Sequence, residues 1–264
     1  MEILGYFGAL LIGLILGLIG SGGSVLAVPI FTYFFLLDEK IATAYSLFVV
    51  GSTSLVGGVN YKIKKLVNWN QVLLFGLPSI ISVVFVRYYI IPDIPDIILS
   101  ISGVDISRRI LILGLFSILL ILSSIIMFIN KHNKPTRSSL NYFKITSEGF
   151  LVGALTGLIG AGGGFLIIPS LVILGKLPMK EAVGTSLVII SLKSLSGFFF
   201  GDAFLYQIDW ILILRFTFIS ILGILLGNYL SVFINAKLLK KIFAVFIFVV
   251  GFLIITTELL NLIT

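Results

Sequence analysis

Cysteine is absent from this 264-residue chain, and charge is scarce. Without thiols there are no disulfides, no thiolate metal sites and no cysteine nucleophile, and the redox state of the compartment cannot be read. Asp, Glu, Lys and Arg make up 11% of the residues, against about 25% in a water-soluble domain. The single histidine, His132, stands alone in a basic polar stretch and reads as solvated. The chain holds no metal-ligand cluster and no GxxxxGK(S/T) phosphate loop. The Ser/Lys combination in 186–194 is too common a pairing to argue for hydrolysis. The sequence therefore predicts no catalytic residue, no metal and no cofactor.

Apolar residues are what it has: 59% of the chain, with mean hydropathy +1.22. They fall in ten segments, at 3–20, 24–37, 41–61, 71–91 and 109–130, then 147–160, 165–175, 181–201, 210–230 and 242–260. This predicts an all-α polytopic membrane protein of about 8–10 membrane helices. The alternating polarity of a transmembrane β-barrel is missing. Pro78, inside the fourth segment, is expected to kink it. The net charge of +7 is read as loop topology rather than nucleic-acid binding. Glu2 in place of a basic leader, and no clear cleavage site, argue against a signal peptide.

One stretch occurs twice. Residues 13–29 read GLILGLIGSGGSVLAVP and residues 153–169 read GALTGLIGAGGGFLIIP, identical at nine of seventeen positions after a shift of 140. Gly-broken hydrophobic segments at equivalent places in two halves point to a transporter binding site. Basic residues place 62–65 and the polar stretch 131–146 on one side, the cytoplasm. Treating 147–160 and 165–175 as two crossings or as a hairpin puts twelve of the eighteen Lys and Arg residues in cytoplasmic loops. Each half then holds five segments, an odd number, so the second lies upside down. The expectation is an inverted 5+5 repeat: 1–130, a cytoplasmic linker 131–146, and 147–264, in the plasma (inner) membrane with both termini outside. Trp69 and Trp210, 141 residues apart, would mark opposite interfaces, or be two unrelated interfacial tryptophans.

Segments 24–37 and 165–175 reach only about 21 and 17 Å, short of the ~30 Å hydrocarbon core. They read as arms of re-entrant helix pairs whose tips are Ser21-Gly22-Gly23-Ser24 and Ala161-Gly162-Gly163-Gly164. Helices starting there would aim N–H groups and positive dipole ends at a cavity, and glycine lets an anion approach the backbone. Pro29 and Pro169 are expected to start regular helix, leaving 24–28 and 165–168 extended. The alternative for these glycines is close helix packing, the role assigned to Gly13, Gly17, Gly153 and Gly157.

A polar stripe runs along the third segment of each half: Ser46, Thr53 and Gly57, matched by Ser186, Lys193 and Gly197. Lys193, deep in a span and with no carboxylate there to meet it, suggests a bound anion as counter-charge; snorkelling or donation to backbone carbonyls is the other reading. Arg87 and Arg215 lie near predicted outer ends, where snorkelling is favoured over guiding anions.

The doubled GLIGxGGGxLxxP pattern, followed by Ala182-Val183-Gly184-Thr185-Ser186-Leu187, resembles the TauE/SafE sulfite-exporter family over nearly the whole chain. Tyr45 and Ser24 depart from the pattern in the first half. The resemblance implies ATP-independent movement, often export, of sulfite, thiosulfate and organosulfonate anions. The expected function is a secondary transporter of a small sulfur-containing anion, with a proton or sodium left open as coupling ion. Its site would comprise Ser21, Gly22, Gly23, Ser24, Ser46, Thr53, Gly162, Gly163, Gly164, Thr185, Ser186 and Lys193. An anion channel and a non-transporting membrane subunit are the rivals.

Overall fold

Ten helical segments follow one another in the computed structural model, which describes residues 2–20, 22–101, 104–129, 141–234 and 236–263. The first five are α1 (Glu2–Ile19), α2 (Ser24–Tyr33), α3 (Glu39–Ile63), α4 (Trp69–Asp93) and α5 (Arg108–Ile129). The second five are α6 (Tyr142–Ile159), α7 (Gly164–Ile173), α8 (Met179–Phe200), α9 (Trp210–Leu230) and α10 (Ala236–Ile263). Helices α3, α4, α5, α8, α9 and α10 are long and apolar enough to cross a membrane. Exposed Leu, Ile and Phe side chains cover α5, α9 and α10, as on helices that face hydrocarbon. The all-α membrane architecture follows from composition alone.

Local chemistry accounts for the departures from the expected segments. In α4 a π-helical turn, Val72–Gly76, precedes Pro78; the wider turn accommodates a residue that has no N–H to donate. Helix α6 starts at Tyr142 rather than 147, because Asn141 caps it and accepts from Lys144 N at 3.1 Å. His132 and most of the expected linker lie outside the described residues. Part of the 92–108 loop is an antiparallel hairpin, β1 (Ile97–Ile101) with β2 (Val104–Ser107). The prolines require a correction. Residues 24–28 and 165–168 are helical, and Pro29 and Pro169 sit at the sixth position of α2 and α7. A proline there removes one backbone bond from the helix, and burial against neighbouring helices holds the turn.

Helices α1 and α2 are antiparallel arms of a hairpin: Gly5 faces Phe35, Gly8 faces Ile30 and Gly23 abuts Ile12. Helices α6 and α7 repeat it. Ser170 Oγ donates to Glu148, at the positions equivalent to Ile30 and Gly8, and Gly163 abuts Thr156. The short arms, α2 and α7, have 10 residues each, about 15 Å. Both tips end at mid-height. A Cβ on Gly162 would lie 2.5 Å from Val50 Cγ1, 3.2 Å from Ser24 Cβ and 3.5 Å from Ile190 Cγ2. Val50 and Ile190 are each the twelfth residue of α3 and α8, so the two tips meet between the middles of these helices.

Contacts between the first five helices and the second five occur in matching pairs. Gly13 of α1 packs on the Ser220 carbonyl of α9, and Gly153 of α6 on the Ser79 carbonyl of α4. Helices α3 and α8 run antiparallel, with Gly51 against Leu195, Gly57 against Leu187 and Tyr61 against Gly184. Helices α5 and α10 also run antiparallel, since Ser124 Oγ donates to Ala244 O at 2.8 Å while Gly251 abuts Ser117. One end of the bundle gathers Asp38, Pro92, Arg108 and Asp202; the other gathers Tyr61, Leu66 and Gly184.

Candidate functional site

The second tip is built from left-handed backbone. Gly160, Gly162 and Gly163 have φ of 72°, 49° and 73°, a region that only glycine enters freely. Gly163 is the N-cap of α7, so the positive end of the α7 dipole opens on the tip, with Gly164 as the first helical residue. The first tip is different. Gly20 is left-handed at φ 82°, but Gly23 is right-handed at −64°. A Cβ on Gly23 would lie 2.0 Å from Ile12 O, and one on Gly22 would meet Ile15 and Phe243. These two glycines let the arms pack. Ser24 is wholly buried at the head of α2, and Ser21 lies outside the described residues.

Two stripes flank the tips. Ser46, Val50 and Thr53 share one face of α3, and Ser186, Ile190 and Lys193 share the equivalent face of α8. Val50 and Ile190 touch Gly162, which brings the stripes to the second tip. The hydroxyls of Ser46 and Thr53 are fully buried without a hydrogen-bond partner among the described residues. So are those of Ser54 and Ser194, which sequence reasoning passed over. They follow Thr53 and Lys193 at equivalent places, and that recurrence was visible. Ser186 Oγ donates to Val183 O at 2.8 Å, with Gly20 O at 3.4 Å. Thr185 stands apart. Its hydroxyl accepts from Asn68 N at 2.9 Å, near the end of the bundle that holds Tyr61 and Leu66.

Lys193 is 0% exposed, so it does not snorkel. Its Nζ donates to Thr156 Oγ1, which donates in turn to Val152 O at 2.7 Å. A Cβ on Gly163 would lie 3.0 Å from that Nζ. The ammonium thus sits against the glycine that caps α7, and pairs with no carboxylate among the described residues. The sequence pattern carries no sign of Thr156, whose equivalent in the first half is Leu16.

Arg87 corrects the expectation that it snorkels: it is completely buried. Its Nε and Nη2 donate to Asp202 Oδ2 at 2.8 and 2.6 Å. Its Nη1 donates to Thr43 Oγ1 at 3.0 Å and to Gly157 O at 3.4 Å. A Cβ on Gly160 would lie 2.2 Å from Thr43 Cβ, so this pair borders the second tip as well. Burial explains the pairing, because an isolated charge in a dry interior is far costlier than a paired one. Arg215 is exposed. At the same end, Arg108 binds Glu39 at 2.6 Å and Asp96 at 2.5 Å, and Arg109 meets Glu258. Among the described residues no group of three His, Cys, Asp or Glu could hold a metal ion.

Known proteins are similar to this chain in sequence. A "Probable membrane transporter protein" of Xylella fastidiosa (strain 9a5c) is 26% identical over 93% of this chain and 91% of its own length. YunE of Bacillus subtilis (strain 168), with the same description, is 27% identical over 88% of each chain. A further "Probable membrane transporter protein", MJ0441 of Methanocaldococcus jannaschii, is 36% identical over 38% of this chain and 39% of its own. No solved structure matches. The family described as sulfite exporter TauE/SafE matches residues 6–254. Nearly the whole chain takes part in that match, all but the start of α1 and the end of α10, and the chain belongs to that family.

Proposed function

We propose that this protein is a secondary transporter that exports small sulfur-containing oxyanions such as sulfite, thiosulfate or organosulfonates across the inner membrane. The observation that carries this is Lys193. It is a buried amine at the head of α7, beside a glycine turn and without a carboxylate partner among the described residues. Such an amine holds its proton at least cost when an anion binds beside it, and the helix N-terminus there favours the same ligand charge. The orphan hydroxyls of Ser46, Thr53, Ser54 and Ser194 can supply further donors. Ser24, Gly162, Gly163 and Gly164 would form the backbone cradle, with Gly22, Gly23 and Ser186 supporting the tips. The relatives' description as membrane transporters supports transport rather than catalysis.

In this reading 1–130 and 147–264 are half-repeats of opposite orientation, joined by a cytoplasmic linker, with both termini outside. The antiparallel course of α3 with α8, and of α5 with α10, supports that orientation. Rocking of the halves would expose the meeting point of the tips to either side in turn. Flux of labelled sulfite and thiosulfate into proteoliposomes tests the reading. Saturable flux with counterflow, lost in Lys193→Met, is expected. Unchanged flux in that variant would remove the site, and flux without counterflow would indicate a channel.

A further inference from the structure

The Arg87–Asp202 pair has a feature that the anion site does not use. Both guanidinium N–H groups that reach Asp202 converge on one oxygen, Oδ2. The other, Oδ1, is buried and has no hydrogen-bond partner among the described residues. Four residues along, the buried hydroxyl of Tyr206 has none either. Burial pushes the Tyr206 hydroxyl above its usual range, with Arg87 pulling it down and Asp202 pushing it up, so it remains a proton donor and lies within the field of the pair. The more distant charges that act on Tyr206 are Arg108 and Asp38. A metal cation prefers several oxygen ligands, which one free carboxylate oxygen beside a guanidinium does not offer. A proton needs only that one oxygen.

We propose that Asp202 is a proton-binding site of this transporter, and that a proton there frees Arg87 for the transported anion. The inference rests on the anion-transport reading above. Arg87 reaches Thr43, which lies against Gly160 at the root of the second tip. While Asp202 is ionised, its charge occupies Nε and Nη2 of Arg87 and cancels its pull on an anion. When an anion takes those donors, the carboxylate is left buried without its partner. Such a group takes up a proton rather than keep its charge. The step balances simply: one proton adds to the Asp202 carboxylate, no electron moves, and the guanidinium transfers its two hydrogen bonds from Oδ2 to the anion. Proton and anion then bind with positive, reciprocal coupling. For a monoanion the joint cargo is neutral, so the anion and pH gradients, and not the voltage, set its direction.

Two measurements on the reconstituted full chain test this. The first is an infrared difference spectrum between about pH 5 and about pH 8, recorded without anion and again with methanesulfonate bound. A protonated-carboxyl carbonyl band should form on acidification, be absent in Asp202→Asn and shift in Asp202→Glu. The second is binding of methanesulfonate, whose own charge does not change over that interval. Its affinity should be on the order of ten-fold higher at the acid end, and flat with pH in Asp202→Asn. If Asp202→Asn does not fold, the shifted band and retained pH dependence of Asp202→Glu serve instead. No band in the wild type, a band surviving in Asp202→Asn, or equal pH slopes in both would overturn the proposal. A band with no methanesulfonate binding at any pH overturns the coupling through the failure of the anion site. Binding without a band overturns the proton site and leaves the anion reading intact.

Discussion

Gly163 and Lys193 are so close that a Cβ on residue 163 would lie 3.0 Å from the lysine ammonium nitrogen. The same Cβ would be 2.0 Å from Thr156 Cγ2, and φ at this residue is 73°. Any side chain here therefore strains the backbone and pushes into the Thr156–Lys193 pair. Gly163→Ala should cost about 1–2 kcal/mol for the left-handed backbone and about 1–3 kcal/mol for overpacking. Thermal unfolding in detergent measures it. Gly114→Ala is the contrast: nothing lies within 4 Å of that Cβ, and a helical alanine should stabilise by about 0.5–1 kcal/mol.

Lys193→Met separates a binding charge from a structural one. The ammonium has a hydroxyl partner but no carboxylate among the described residues, so its burial weighs against folding. The variant should unfold at a temperature equal to or above that of the wild type. Stabilisation by added sulfite or thiosulfate, which follows mass action on the folded state, should vanish. A retained anion-induced shift would show that the anion binds elsewhere.

Removing one member of the Arg87–Asp202 pair leaves the other buried and alone. Arg87→Met and Asp202→Leu should each destabilise by about 3–5 kcal/mol, and the double variant by less than either alone. A double-mutant cycle of unfolding midpoints reads the coupling, expected to exceed about 3 kcal/mol. Additive losses would mean that the two side chains act independently.

The small residues of the long arms are structural. A Cβ on Gly13 would lie 1.8 Å from Ser220 O, and one on Gly153 2.5 Å from Ser79 O. Alanine at either position should lower stability by about 1–3 kcal/mol, more at Gly13. The affinity of the remaining folded protein for sulfite should be unchanged, because neither residue touches the tips. Binding isotherms corrected for the folded fraction check this.

The recurring stretch was legible because identical glycines stand 140 residues apart, and three of those pairs, Gly20/Gly160, Gly22/Gly162 and Gly23/Gly163, lie at the hairpin turns. The shortness of α2 and α7 was legible too, since segment length is a count. The prolines misled. Pro29 and Pro169 read locally as helix starts, yet the head of each helix lies five residues earlier, where glycine turns the chain and neighbouring helices bury the first turn. Arg87 misled for a related reason. Near a segment end a long cation reaches the interface if nothing nearer takes it, and Asp202, 115 residues away, takes it first.

Composition alone determined that this chain is helical and lies in a membrane, because hydrocarbon forces each backbone to satisfy its own hydrogen bonds, and the recurrence of one stretch 140 residues on was plain in the sequence. Tertiary structure alone decided which polar groups meet. Thr156 came to Lys193, Thr43 to Arg87 and Gly162 to Ser24 only when α3 and α8 crossed in opposite directions. Contacts between segments depend on how surfaces pack in space, and linear spacing carries no record of which face of one helix will find another.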